Sequence, residues 1–166
     1  DIEVVIEDDQ RKPDVAVQLA DKMIQSEKVD IMTGIIWSNL AMAVVPSATA
    51  QGKFYLSPNA GPSALAGKGC HKNYFNVAWQ NDNLHEAAGA YAKGVGYKNS
   101  FIMAPNYPAG QDALTGYKRM YQGELAGGRD SVSFDAYNGR HPSELSGDDV
   151  DRAVGLTCVG ASILAW

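Results

Sequence analysis

Apolar residues fall along this chain in short runs that switch between two spacings. Residues 2–6, IEVVI, are a β-branched run bounded by charge, which predicts a buried strand. The polar turn EDDQRKPD (7–14) follows. From Pro13 to Gln25 the apolar positions Val15, Ala16, Leu19, Ala20, Met23 and Ile24 recur at helical spacing, with Asp14 in the first turn, where the helix dipole favours an acid. VDIMTGII (29–36) predicts a second strand. Ser38 and Asn39 then open a small-residue helix, LAMAVVPSA, which Pro46 is expected to break or bend. FYLSP (54–58) predicts a third strand stopped by Pro58. NAGPSALAGKG (59–69) has no period and reads as a loop with at most one helical turn.

The alternation continues. YFNVAW (74–79) predicts a short strand, and Leu84–Gly94 a helix with Leu84, Ala87, Ala88 and Tyr91 on its apolar side. SFIMA (100–104) predicts a strand, APNYPAG (104–110) a loop, and Asp112–Tyr121 a helix with Leu114, Tyr117 and Tyr121 on its stripe. Strand and helix thus alternate from residue 2 to about 122, with connections long enough to be crossovers. That pattern predicts an α/β fold of βαβ units, a mainly parallel sheet with helices on both faces. Residues 127–149 have little periodicity. Residues 151–166 turn apolar again, as either a helix or a strand that completes the sheet.

Composition changes this picture little. The chain has 166 residues, 45% of them hydrophobic and 20% charged, which is the composition of a globular domain. A net charge of −5 with scattered lysines argues against nucleic acid as a partner, because the densest basic pair, Lys118-Arg119, sits in an ordinary helix pattern. No stretch approaches the apolar length of a membrane span. Cys70 and Cys158 are far from any metal or CxxC spacing, and stand open as a disulfide or as two separate thiols. The chain starts on Asp1, almost directly in a predicted strand, which reads as a processed or trimmed start. A missing leader is therefore no argument against export.

In a parallel sheet, ligands sit beyond the carboxyl ends of the strands. Three loops take that position: 34–39, 57–67 and 104–110. Two of them run into helix N-termini, whose free N–H groups suit a carboxylate. The candidate ligand residues there are Ser38, Ser57, Ala60, Ser63 and Tyr107, with ordinary turn and capping roles as the alternative. Trp37 is either a core residue or a ring that stacks on a flat ligand. Trp79 reads more readily as core than as the mouth of a cleft. Catalytic and metal chemistry find no constellation. His71 beside Cys70 lacks a second half, His85-Glu86 reads as a solvated first helical turn, and His141 lies in the irregular stretch. The acids of EDD (7–9) read as a polar strand end. There is no GxSxG elbow and no phosphate-binding glycine loop. An enzyme, a metal site and a cofactor are not expected.

These loops carry a family resemblance. The stretches EDDQRKPDVAVQLADKMI (7–24), VDIMTGIIWSNLAMAVVP (29–46), FYLSPNAGPSALAG (54–67), CHKNYFNVAWQND (70–82) and FIMAPNYPAGQDALTGYKRMY (101–121) resemble the periplasmic solute-binding proteins of branched-chain amino-acid type that serve ABC importers. The likeness covers residues 2 to about 125. SPNAGPSxLAG and MAPNYPAG are similar to a subgroup that takes up amino acids and small aromatic or aliphatic carboxylates. The resemblance implies a type I periplasmic binding fold, a three-layer sandwich, with residues 1–126 as a partial first ligand-binding lobe and 127–166 as an atypical tail. It implies a small-molecule ligand, either an amino acid or an aromatic or aliphatic carboxylate. It also implies a membrane permease as partner, and a place in the periplasm or on a lipid anchor outside the cytoplasmic membrane.

Carried over residue by residue, the family's ligand contacts fall on Ser38, Asn59 to Gly61, and Tyr107. Many amino-acid binders have Thr where this chain has Gly61, which leaves room for a simpler carboxylate, with Ser63 as a substitute hydroxyl. A ligand-sensing domain of a receptor or regulator with the same fold is the alternative function. Family members usually carry a strand, a ligand loop and a helix ahead of IEVVI, and these are not seen here. After GELAG (123–127) the chain no longer resembles the family. Its apolar end suggests self-association through an unpaired edge or patch.

Overall fold

The structure, a computed structural model, describes residues 2–122, 124–125, 154–158 and 161–165. The chain forms two compact units, residues 1–80 and residues 81–166. In the first, the βαβ pattern read from the sequence is realised. Strands β1 (Ile31–Thr33), β2 (Phe54–Ser57) and β3 (Tyr74–Asn76) form a parallel sheet in the order β1-β2-β3, with Met32 opposite Tyr55 and Tyr55 opposite Tyr74. Helix α2 (Ser38–Ala50) is the crossover between β1 and β2, and helix α1 (Pro13–Gln25), which precedes β1, packs on it. Their small residues let them close on the sheet. Ala16, Ala20, Ala41 and Ala48 join Leu40, Val44, Val45, Met32 and Tyr55 in one core. One helical turn, α3 (Ser63–Ala66), interrupts the loop after β2, as the sequence suggests.

One expectation fails here, and of another only the break is ruled out. Residues 2–6 form no strand, and Ile2, Val4 and Ile6 are 93%, 73% and 85% exposed. A β-branched run becomes a strand only where a neighbour pairs its backbone groups, and no described strand pairs with this one. Pro46 does not break α2, which runs through to Ala50. The proline costs α2 one backbone donor. The helix nevertheless buries Val44, Val45, Ala48 and Thr49 around it, and the Thr49 hydroxyl donates to the Val45 carbonyl at 2.8 Å.

The second unit is built on helices α4 (Asn81–Gly94) and α5 (Pro108–Tyr121), which pack along their length. Strand β4 (Asn99–Met103) pairs parallel with β5 (Glu124–Leu125) and antiparallel with β7 (Ala161–Ala165). Strand β6 (Val154–Cys158) pairs antiparallel with β7, giving the order β5-β4-β7-β6. The apolar end of the chain is thus two strands, where the sequence left one helix or one strand open. The α5 stripe is buried as expected through Leu114, Tyr117 and Tyr121. The α4 stripe is not. Leu84 and Tyr91 are exposed, while Asn81, Asp82, His85, Ala88, Gly89 and Ala92 face inward. The contact is close because both helices present glycine. A methyl group at Gly89 would lie 2.5 Å from the Tyr117 carbonyl oxygen, and one at Gly116 would lie 2.4 Å from that of Asp82.

Candidate functional site

In the first unit the loops after β1 and β2 leave the carboxyl ends of neighbouring parallel strands, so they lie side by side. Two cross-links tie the strand ends. The Thr33 hydroxyl donates to the Leu56 carbonyl at 2.8 Å, and the buried Tyr55 hydroxyl donates to the Gly34 carbonyl at 3.2 Å. Gly34 and Ile35 both have positive φ, 102° and 60°, which turns the chain sharply toward α2. Trp37 is the residue before that helix, with extended backbone, and its carbonyl accepts from Leu40 and Ala41. Its half-buried ring packs on the core and also meets the Arg11 guanidinium, 4.3 Å from the ring centroid. Ser38 opens α2 and is buried.

The loop after β2 is braced from within. Ser57, wholly buried, donates its hydroxyl to the Ala60 carbonyl at 2.5 Å, and the Tyr74 hydroxyl reaches the same oxygen at 3.4 Å. Burial raises the pKa of both Tyr55 and Tyr74, so both phenols remain neutral donors at ordinary pH. Asn59 is partly buried, and Ala60 and Gly61 are buried. None of the hydrogen bonds among the described residues uses the backbone N–H of Ala60 or of Gly61. Ser63 is the first residue of α3.

Gly61 stands against the turn after β3. A Cβ there would lie 1.9 Å from the Trp79 carbonyl oxygen and 2.6 Å from Asn76 Nδ2, and Asn76 Nδ2 itself donates to that carbonyl at 2.8 Å. Glycine is therefore required by a close approach of backbone, which gives a steric reason for the absence of a threonine. Trp79 is 38% exposed and is not the core residue that the sequence suggested.

The structure thus gathers Trp37, Ser38, Ser57, Asn59, Ala60, Gly61 and Ser63 in the first unit, on two adjoining loops. Tyr107 belongs to the second unit, where it precedes α5 and is half-buried, and burial raises its pKa. His85 is buried, not solvated. Its Nδ1 has no hydrogen-bond partner among the described residues, and burial lowers its pKa against the opposing pull of Asp82. Asp8 and Asp9 accept backbone N–H bonds from Gln10 and Arg11, while Glu7 pairs with Lys22 at 2.5 Å. Cys70 is a free, exposed thiol; the side chain of Cys158, like His141, lies outside the described residues. Arg11 is the site neighbour that sequence reasoning missed. Its contact with Trp37 joins residues 26 positions apart through a turn, and periodicity carries no signal for that.

A profile of the periplasmic binding protein family matches residues 1–136. The chain belongs to that family, which places it in the periplasm. Among solved structures it is similar to a solute-binding protein of an ABC transporter from R. palustris in complex with benzoate. The identity is 30% and the TM-score 0.71, over 77% of this chain and 36% of that one. It is also similar to a solute-binding protein from Rhodopseudomonas palustris BisB5 in complex with 3,4-dihydroxybenzoic acid, at 25% identity and TM-score 0.72, over 79% of this chain and 36% of that one. A branched-chain amino acid transporter substrate-binding protein from Streptococcus pneumoniae, in complex with isoleucine, shares the fold at 20% identity and TM-score 0.70, over 87% of this chain and 42% of that one. The comparison with curated proteins found no match. The chain spans little more than a third of the length of the first two structures.

These matches set the fold class as the α/β three-layer lobe of a type I periplasmic binding protein, mainly parallel in its sheet. The family is one of binding proteins, and that membership carries the non-enzymatic reading.

Proposed function

We propose that this chain is the solute-binding component of an ABC importer and that its first unit forms one wall of the ligand site. The carrying observation is the pair of adjoining loops at the carboxyl ends of β1 and β2, one of which leads into the N-terminus of α2. Helix dipole and backbone N–H groups there suit a carboxylate. In this reading Ser38 and the backbone of Asn59, Ala60 and Gly61 hold the carboxylate. Ser57 braces that backbone, Trp37 borders the ligand's apolar body, and Ser63 adds a hydroxyl. In this reading residues 1–126 supply the lobe and 127–166 a tail, the family match itself running on to residue 136. A membrane permease is the partner, and self-association of the chain is a further part of the proposal.

An aromatic carboxylate is a better fit than a branched-chain amino acid. Gly61 admits no side-chain hydroxyl near an α-ammonium group, and the relative at 30% identity holds benzoate. A single wall buries only part of a ligand, so affinity should be in the millimolar range, about −4 kcal/mol. The test is an NMR titration of the 166-residue chain with benzoate and with isoleucine. Benzoate is expected to shift the amide signals of Ser38, Ala60 and Gly61 more than isoleucine does. No shift with either ligand at millimolar concentration overturns the site, and a stronger isoleucine response overturns the aromatic preference.

A further inference from the structure

The turn that leads into α1 holds a cation with no role in the ligand site so far. Gln10 and Arg11 both adopt left-handed backbone, with φ of 52° and 58°. Asp8 Oδ1 accepts the Gln10 N–H at 2.9 Å and Asp9 Oδ1 accepts the Arg11 N–H at 2.8 Å, so both aspartates of this turn hold its backbone. Among the described residues the Arg11 guanidinium makes no ion pair. It lies instead over the Trp37 ring, 4.3 Å from its centroid, one residue before the start of α2. A guanidinium over an indole engages the ring through its own face and keeps its in-plane N–H donors for an acceptor. On a chain of net charge −5, such a cation is the local counterweight that an anion approaching these loops would meet.

We propose that Arg11 is a specificity-determining residue of this ligand site, selecting an anionic ligand over its neutral isostere by presenting its guanidinium from the Trp37 ring. This rests on the ligand-site reading above. Arg11 is exposed, so its contribution is that of a screened charge, and it sets selectivity more than overall affinity.

The test uses the full 166-residue chain, with benzoate and the neutral amide benzamide as probes, and follows the Ala60 and Gly61 amides by NMR. The unaltered chain should bind benzoate more tightly than benzamide, with the gap narrowing in about 0.5 M NaCl. Arg11→Gln should lose about threefold in benzoate affinity, leave benzamide unchanged and flatten the salt dependence. Arg11→Lys should keep the preference. An unchanged benzoate-to-benzamide ratio in Arg11→Gln overturns this inference alone. Equal loss of both ligands also overturns it, because Arg11 would then serve only to hold Trp37. Failure of the unaltered chain to bind either probe overturns the site itself, and the inference with it.

Discussion

The two units both pack helices with a small sheet and use their polar residues in opposite ways. In residues 1–80 the polar and small residues at the strand ends shape loops: Thr33 and Tyr55 tie the two strand ends, and Ser57 and Tyr74 hold the Ala60 carbonyl. In residues 81–166 polar groups are spent between packed elements. Asn81 donates to Asp112 at 3.0 Å, Arg119 pairs with Asp82 at 3.0 Å and with Glu86, and Ser100 shares a 2.6 Å hydrogen bond with Tyr117. The first pattern braces the rim that we propose faces the ligand. The second makes a helix pair whose polar contacts face each other. A buried polar residue is thus no guide to function until its partner is known.

Three substitutions press on this contrast. Gly61→Thr should have the largest effect, because its Cβ would drive into the Trp79 carbonyl. Thermal or denaturant unfolding should show a loss of about 3 kcal/mol, with faster hydrogen exchange in β2 and β3. A variant as stable as the parent would show that the turn after β3 yields freely and that the rim is not rigid. Tyr117→Phe should cost less, about 1.5 kcal/mol, since it leaves the buried Ser100 hydroxyl without its partner. Its effect should appear in the exchange rates of α5 and β4; an effect confined to the first unit would contradict the division of roles.

The smallest effect concerns pH. His85 has a folded pKa below its ordinary 6.5, so the unfolded chain binds the proton more readily. The stability it supports is complete above about pH 6.5 and is lost as pH falls toward the lowered folded value. His85→Gln should flatten the slope of stability against pH below 6.5. An unaltered slope would mean that other groups carry the acid sensitivity.

Much of this fold is legible in the sequence where apolar periodicity meets a cap or a breaker. Helix α1 begins and ends where its spacing predicts, because Pro13 and the Ala16, Ala20, Ile24 face leave little freedom. Helices α4 and α5 begin three and four residues earlier than predicted. Their first turns are Asn81, Asp82 and Asn83, and Pro108 to Gln111, stretches with too few apolar side chains for a periodic count to register. The error at residues 2–6 has another origin. Strand formation is decided by a partner, which local sequence does not contain. The candidate loops were legible as polar ends of parallel strands. The Arg11–Trp37 contact and the meeting of Gly61 with Trp79 were not, since both join backbone turns distant in sequence.

Gly61 has a consequence for how such a site diversifies. A lineage that needed a hydroxyl at this position could not acquire it in one step, because the Trp79 carbonyl already occupies the space of the first side-chain atom. The turn at 76–79 would have to relax first, through a change at Asn76 that by itself loosens the loop and gains nothing for binding. If the proposed site holds the ligand, ligand repertoire and loop shape are thereby inherited together, and recombination that exchanged residues 57–63 without 74–79 should yield unstable chimaeras more often than the exchange of both.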